Sequence, residues 1–118
     1  MIEKIYIPTL GRVEEQKTYN DLPDKYKERV VMVVQEHERP KYKYDVEYLV
    51  VGDNIGSSKT RETIFKDGCK RKINFLMIDD QMVLKRRNLN YKELGLPSSW
   101  ILEEKDYDDM FETMNLWL

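Results

Sequence analysis

The sequence predicts an α/β fold: a mainly parallel sheet of about four strands, flanked by helices and ending in an amphipathic helix. Three observations carry this prediction. Arg29–Gln35 (Arg-Val-Val-Met-Val-Val-Gln) is apolar without alternation, as in a strand covered on both faces. Strand-like and helix-like runs alternate along the chain, as a parallel sheet with crossover connections requires. A second apolar run, Ile73–Ile78, empties into Asp79-Asp80-Gln81. Polar groups at the carboxyl end of such a strand lie where open α/β sheets bind ligands.

The elements follow in order. Lys4–Pro8 reads as the first strand, and Thr9-Leu10-Gly11-Arg12 as the loop leaving it. Glu14–Tyr19 reads as a short helix stopped by Asp21-Leu22-Pro23. After the apolar second strand, His37–Tyr44 is polar and tyrosine-rich, a turn or a short helix. Tyr48–Val51 is the third strand, closed by the turn residues Gly52-Asp53-Asn54. The next helix is expected to take Ser57 or Ser58 as its N-cap, to face the core with Ile64 and Phe65, and to stop at Gly68. The Ile73–Ile78 strand follows, then Met82–Asn90 as an extended or turning segment and Leu94–Ser99 as loop. In the tail, Tyr107, Met110, Phe111, Met114, Trp117 and Leu118 recur at helical spacing on one face. Asp106, Asp108, Asp109 and Glu112 crowd the start of that helix, where its dipole favours acids.

Composition narrows the function classes. The chain has 118 residues, so residues 1–118 are expected to form a single domain. Charged residues make up 36%, yet the net charge is only −2, which argues against a general polyanion binder. The charge is uneven: residues 100–118 carry six acids and one lysine, whereas Lys59–Lys72 holds six bases against Glu62 and Asp67. That basic segment reads either as a phosphate-attracting face or as an ordinary solvated helix face. The lone cysteine, Cys69, precludes an internal disulfide and suits a reducing compartment. The start, Met-Ile-Glu-Lys-Ile-Tyr-Ile-Pro, reads as a strand and not as a signal peptide. No run approaches membrane-spanning length, and a soluble, cytoplasmic protein is expected. Neither Gly-x-Gly-x-x-Gly after the first strand nor a P-loop motif is present, which excludes those two nucleotide fingerprints.

Four strand ends deliver polar groups to one edge of a parallel sheet: Thr9 and Arg12, Gln35 and Glu36, Asp53 and Asn54, and Asp79 to Gln81. Arg61, on the helix after the third strand, is placed to join them. Such convergence is the architecture of a nucleotide pocket. Glu36-His37-Glu38 looks like a metal cluster on paper, but neighbouring residues of a strand point to opposite faces, so it reads as loop. Paired carboxylates at Asp79-Asp80 can orient a ribose or hold a hard divalent cation.

Taken in order, Ile-Tyr-Ile-Pro-Thr-Leu-Gly-Arg (5–12), Gln16, Thr18, Leu22-Pro23, Val-Val-Met-Val-Val-Gln-Glu (30–36), Lys59-Thr60-Arg61-Glu62 and Leu-Met-Ile-Asp-Asp-Gln (76–81) form a pattern. The pattern resembles the tailed-phage glycosyltransferases with a GT-A nucleotide-sugar fold, in particular those linked to hypermodification of DNA bases. It covers roughly residues 4–87 and, more loosely, the tail helix. The resemblance implies that Pro8, Thr9 and Arg12 lie by the nucleotide base and phosphates and that Arg61 contacts the nucleotide or diphosphate. It implies that Asp79 lies near the ribose or the metal's water shell and that Arg86 or Arg87 contacts phosphate. It also implies Mn²⁺ or Mg²⁺ at Asp79, Asp80 and Gln81. Gln81 stands where the family's Asp-x-Asp motif has its last acid; an amide oxygen can ligate the ion but brings no charge, so weakened metal affinity is expected.

About 37 residues follow Gln81, which matches the donor-binding half of such an enzyme and leaves no evident general base. Two readings therefore stand side by side. One is a glycosyltransferase acting with a nucleotide-sugar donor on a modified pyrimidine in phage DNA. The other is a non-catalytic, phage-encoded binding protein on the same half-fold, sequestering a nucleotide or engaging a host protein. The tail helix offers a homodimer or partner surface in either case. A DNA-binding module is a weaker third reading, with Lys59–Lys72 or Lys85–Arg87 as the contacts.

Overall fold

A computed structural model describes residues 1–87, 91–97 and 99–116. The elements are β1 (Lys4–Pro8), α1 (Lys17–Asp21), α2 (Asp24–Lys27), β2 (Val30–Gln35), a 3₁₀ turn (Arg39–Lys41), β3 (Glu47–Val51), α3 (Gly56–Arg71), β4 (Phe75–Met77), β5 (Lys85–Arg87), α4 (Tyr91–Leu94), β6 (Ser99–Ile101) and α5 (Glu104–Asn115). The four principal strands form one parallel sheet in the order β3-β2-β1-β4, as the alternation predicted. β5 and β6 make a separate antiparallel ribbon that sequence reading left as extended chain and loop.

β2 explains the fold. All six of its residues are buried. Val30, Met32 and Val34 point to one face, where they meet Leu22, just after α1, and Tyr26, Tyr107 and Phe111 from α2 and α5. Val31 and Val33 point to the other face and pack with Tyr6, Val51 and Ile64 beneath α3. A strand buried on both sides has no polar face to present, which is why its sequence shows no alternation.

β1 to β3 step across the sheet in one direction, and α3 then carries the chain back to place β4 on the far side of β1. The order reverses between β1 and β4, so the crevice of this sheet opens at their carboxyl ends.

The tail helix is built as its pattern predicted. Tyr107 and Phe111 are buried, and Met110 and Met114 pack beside them; Trp117 and Leu118 lie outside the described residues. Glu103 and Asp106 form a reciprocal capping box. Asp106 is buried and also accepts hydrogen bonds from Trp100 Nε1 at 3.0 Å and Arg86 Nη1 at 3.0 Å. It therefore ties the ribbon to the helix. The Glu103 backbone N–H, followed by the Trp100 and Arg86 donors, holds the Asp106 carboxyl below its ordinary value.

Helix α3 departs from expectation at three points. Its N-cap is Ile55, and neither Ser57 nor Ser58 caps it, because the helix already starts at Gly56. Phe65 is 58% exposed; Ile64 alone of the pair faces the core. Gly68 does not stop the helix. It is buried under the Phe75 ring, and the chain leaves the helix at Lys72, in the left-handed region at φ 56°. The glycine is there for close approach: a Cβ at Gly68 would fall 2.2 Å from Phe75 Cε1. The first helix is shifted from Glu14–Tyr19 to Lys17–Asp21, and β4 is shorter than Ile73–Ile78.

Two outcomes follow. Alanine is the better helix former by about 1 kcal/mol, but overpacking costs about 1–3 kcal/mol, and the Phe75 ring is backed by Tyr6 and Phe65. Gly68→Ala should therefore lower the unfolding free energy by about 1–2 kcal/mol; an unchanged urea midpoint would show that the ring yields freely. Asp106 has a depressed pKa in the folded state, so its contribution is complete above its ordinary value of 3.8 and is lost as the pH falls through the folded value. Asp106→Asn should flatten the acid limb of a stability–pH curve below about pH 4 and leave the limb above pH 5 parallel to that of the unmodified protein.

Candidate functional site

The carboxyl ends of β1 and β4 meet around one buried carboxylate. Asp80 is 5% exposed. Its Oδ2 accepts from Thr9 Oγ1 at 2.8 Å, and its Oδ1 accepts from Arg12 Nη1 at 2.7 Å. Thr9, also buried, accepts in turn from Gln16 Nε2 at 2.8 Å. The same amide nitrogen donates to the Arg12 carbonyl at 2.7 Å, and these two acceptors together set the orientation of the amide. Gln16 Oε1 is buried with no hydrogen-bond partner among the described residues. The Tyr42 hydroxyl closes on Thr9 at 3.3 Å, and burial raises its pKa.

The loop that carries Arg12 is held by Glu38. Both Glu38 carboxylate oxygens accept from the Gly11 N–H, at 2.9 and 3.0 Å. Gly11 sits at φ 67°, a conformation that glycine adopts without strain and that aims its N–H at the acid. On the other side, Thr18 clamps the chain after β4. Its hydroxyl donates to the Asp79 carbonyl at 2.6 Å and accepts from the Met82 N–H at 2.8 Å.

Beside this network is a cleft of about 390 Å³. Pro8, Thr9, Arg12, Asp79 and Asp80 line the cleft. Gly56, Ser57, Thr60 and Arg61 from the start of α3 also line it, together with Val33, Gln35 and Val51. Pro8 suits its position. Thr9 donates its N–H to Val33 of β2, so residue 8 faces the β4 side, and β4 pairing ends at Tyr6. A missing N–H there leaves no orphan donor at the cleft wall.

Five residues singled out from sequence, Pro8, Thr9, Arg12, Arg61 and Asp79, thus come together with Asp80 around one opening. Asp79 and Arg61 are both exposed, and neither side chain has a hydrogen-bond or ion-pair partner among the described residues. Gln81 is not in the cleft: its Nε2 donates to Glu15 Oε2 at 3.3 Å. Arg86 is also elsewhere, on the ribbon, paired with Asp106 and with Asp109 at 2.7 Å; the Arg87 side chain lies outside the described residues. Among the described residues, no group of three or more His, Cys, Asp or Glu is arranged to hold a metal ion.

Asp53 and His37 form a pair of their own at the β2 and β3 ends. His37 Nδ1 lies 2.6 Å from Asp53 Oδ1, and the His37 backbone N–H donates to the same oxygen at 3.0 Å. These contacts, the backbone one foremost, hold the Asp53 carboxyl below its ordinary value. Residues that sequence reading did not assign to the site include Gln16, Glu38, Tyr42 and Thr18. All four act on the backbone or on Thr9; Gln16 and Thr18 stand in the sequence pattern without an assigned role, and no local signal marks Glu38 or Tyr42.

Fold and cleft together define a parallel α/β protein with an open crevice at its switch point, lined by a carboxylate and a guanidinium that have no partner among the described residues. The chain belongs to the TET-associated glycosyltransferase family, whose model matches residues 3–116. This match bears out the resemblance drawn from the sequence at the level of a glycosyltransferase family associated with DNA base modification. It supports a glycosyltransferase-like function and gives no support to the alternative reading as a binding protein. No curated protein and no solved structure gives a match. Among the described residues, no helix is long and apolar enough to cross a membrane.

Thr9 is the test of the network. Thr9→Val removes the donor to Asp80 and the acceptor of Gln16 with little change in volume. Leaving buried polar groups unsatisfied costs about 1–3 kcal/mol each, so a loss of about 2–4 kcal/mol is expected in chemical denaturation. Thr9→Ser, which keeps the hydroxyl, should recover most of it; equal losses in both variants would point to the methyl group and not to the hydrogen bonds.

Proposed function

We propose that the cleft binds a nucleotide-sugar and that the protein transfers the sugar to a hydroxyl on a modified base in DNA. The observation that carries this reading is that Asp79 and Arg61, whose side chains have no partner among the described residues, line the same cleft at the β1–β4 switch point. A guanidinium facing a crevice with no carboxylate partner has its donors free for a diphosphate. The family match supports the transferase chemistry.

In this reading the acceptor hydroxyl oxygen bonds to the anomeric carbon of the sugar. The bond from that carbon to the diphosphate oxygen breaks, the diphosphate leaves with the electron pair, and the hydroxyl proton passes to solvent. The residues needed are those that bind and orient the diphosphate. Arg61 supplies positive charge to the leaving group, and Arg12, anchored on Asp80, presents its remaining guanidinium donors to the same opening.

The donor set fits a divalent cation held chiefly by the substrate. Mg²⁺ commonly keeps several waters and is bound through one or two carboxylates together with substrate phosphates. Asp79 is the exposed carboxylate available for that, whereas both Asp80 oxygens already accept hydrogen bonds. Gln81, bonded to Glu15, contributes least. When bound, Mn²⁺ or Mg²⁺ neutralises the developing diphosphate charge.

Calorimetric titration with nucleoside diphosphates, with and without Mn²⁺, tests the reading. Binding is expected to require the cation and to weaken about tenfold in Arg61→Ala, the cost of one charge-assisted contact. Asp79→Asn should remove most of the cation dependence while leaving the fold intact, since the Asp79 side chain supports nothing else. If no nucleoside diphosphate binds under any metal condition, the proposal fails.

A further inference from the structure

The segment after β2 is fastened along the loop that leaves β1. Glu38 accepts from the Gly11 N–H at 2.9 and 3.0 Å, the Tyr42 hydroxyl lies 3.3 Å from Thr9 Oγ1, and the Tyr44 hydroxyl donates to the Val13 carbonyl at 2.6 Å. Residues 9, 11 and 13 are thus each held by a side chain from residues 38–44. The loop becomes a wall shared by two openings. Thr9, Leu10 and Arg12 line the cleft, and Val13 lines a concavity of about 280 Å³.

Lys41, Lys43 and Tyr44 line that concavity with Val13. Their placement follows from the backbone. The chain is extended at Tyr42 (φ −86°, ψ 126°), and burial alternates from Lys41 to Tyr44. An extended chain sends successive side chains to opposite faces, so the tyrosines turn toward the β1 loop and the lysines toward solvent. Residues two apart on such a chain are separated by about 6.6 Å, which starts the two lysine stems side by side. Both lysines are exposed with no ion pair among the described residues. Glu14 and Asp45 are close in sequence, but neither lines the concavity. Arg39 stiffens the segment: its guanidinium lies 3.7 Å from the Tyr48 ring centre and donates to the Tyr42 carbonyl.

We propose that Lys41 and Lys43 form a seat for the phosphate backbone of the acceptor DNA, beside the cleft. The inference rests on the transfer to DNA proposed above and adds the surface that holds the acceptor. An enzyme acting on a base must draw it out of the helical stack, and contacts to the flanking phosphates fix its register meanwhile. Lysine suits that task as a point charge that reads no sequence. The other basic segments are less suited. Arg86 is paired with Asp106 and Asp109. Lys59 and Lys70 fall about 160–180° around α3 from Arg61, which lines the cleft.

The experiment is fluorescence anisotropy of a labelled DNA duplex with the full chain, over a range of salt concentrations. Each duplex phosphate neutralised contributes about 0.9 to the slope of log affinity against log salt. Replacing Lys41 and Lys43 together by Gln is therefore expected to reduce that slope by about 1.8. The loss should be alike on two duplexes of unrelated sequence, because phosphate contacts carry no sequence information. Both side chains are exposed, so the substitutions leave the packing unchanged. Replacing Lys70 and Lys72 by Gln removes the same charge where α3 ends and the chain turns toward β4, at the amino ends of the strands and away from the cleft; there the slope is expected to stay as it is. An equal fall in both pairs assigns the effect to net charge and overturns the proposal. So does an unaltered slope in the Lys41 and Lys43 pair, or a protein that binds no DNA at any salt. Nucleoside diphosphate binding by that pair is expected to match the unmodified protein; a loss there would assign the lysines to the donor and overturn the seat. RNA bound more tightly than DNA would assign the surface to another nucleic acid and overturn it too. DNA binding that responds as expected, in a protein that binds no nucleotide, retains the seat and removes the donor site; nucleotide binding without DNA binding does the reverse.

Discussion

The candidate site depends on how one buried carboxylate is satisfied. Asp80 lies at the end of β4 with almost no exposure, and a charge there is tolerated only because each oxygen has a donor. One donor comes from the end of β1 and the other from the loop beyond it. The carboxylate therefore joins the two strands between which the sheet order reverses, at the place where a crevice must open. Gln16 steadies Thr9, and Glu38 steadies the loop through Gly11. The pair with Arg12 is half open to water, since the Arg12 side chain is 43% exposed. Its energetic worth is modest for that reason. Its geometric worth is larger: it fixes the direction in which the guanidinium enters the cleft.

Adjacent acids take opposite roles where the chain leaves β4 and enters the turn at Asp80. Asp80 turns into the network and Asp79 turns out to solvent, with its carbonyl held by Thr18. This division explains why three consecutive polar residues do not form a ready-made metal cage. One is committed to structure, one is bonded to Glu15, and one is free. A cation would have to complete its coordination from the substrate, which links metal affinity to donor binding.

Much of this was legible in the sequence, and the limits have physical reasons. The parallel sheet was readable because a strand buried on both faces leaves an unbroken apolar run, and β2 is such a strand. The site edge was readable because strand ends in a parallel sheet share one side, so Thr9, Arg12 and Asp79 converge whatever the loops do. α3 was misread because its signals have double meanings. Gly68 is as consistent with a helix stop as with close packing, and only the position of the Phe75 ring decides between them. Phe65 looks like core beside Ile64, yet a helix turned by 100° per residue buries one and exposes the other. Gln16 was not assigned because its contacts with Thr9 and the Arg12 carbonyl depend on how the loop after β1 turns, and Glu38 and Tyr42 because they act from a segment about thirty residues away, which leaves no local pattern.

The overall charge of the chain is a poor guide to the field at its surface. The acids of the tail are largely engaged in place: Asp106 and Asp109 hold Arg86, Asp108 holds Lys25 at 2.6 Å and Tyr26 at 2.5 Å, and Glu103 caps α5. Burial and the Asp108 bond push the Tyr26 phenol up to about 12, so it donates throughout the neutral range. Each paired acid cancels with its partner within a few ångströms, well inside the screening length of about 8 Å at physiological salt. What a polyanion meets at close range is the remainder, and on α3 that remainder is positive. The chain is acidic by count, yet the acids of its tail are already engaged in capping α5 and in holding it to the ribbon and to α2.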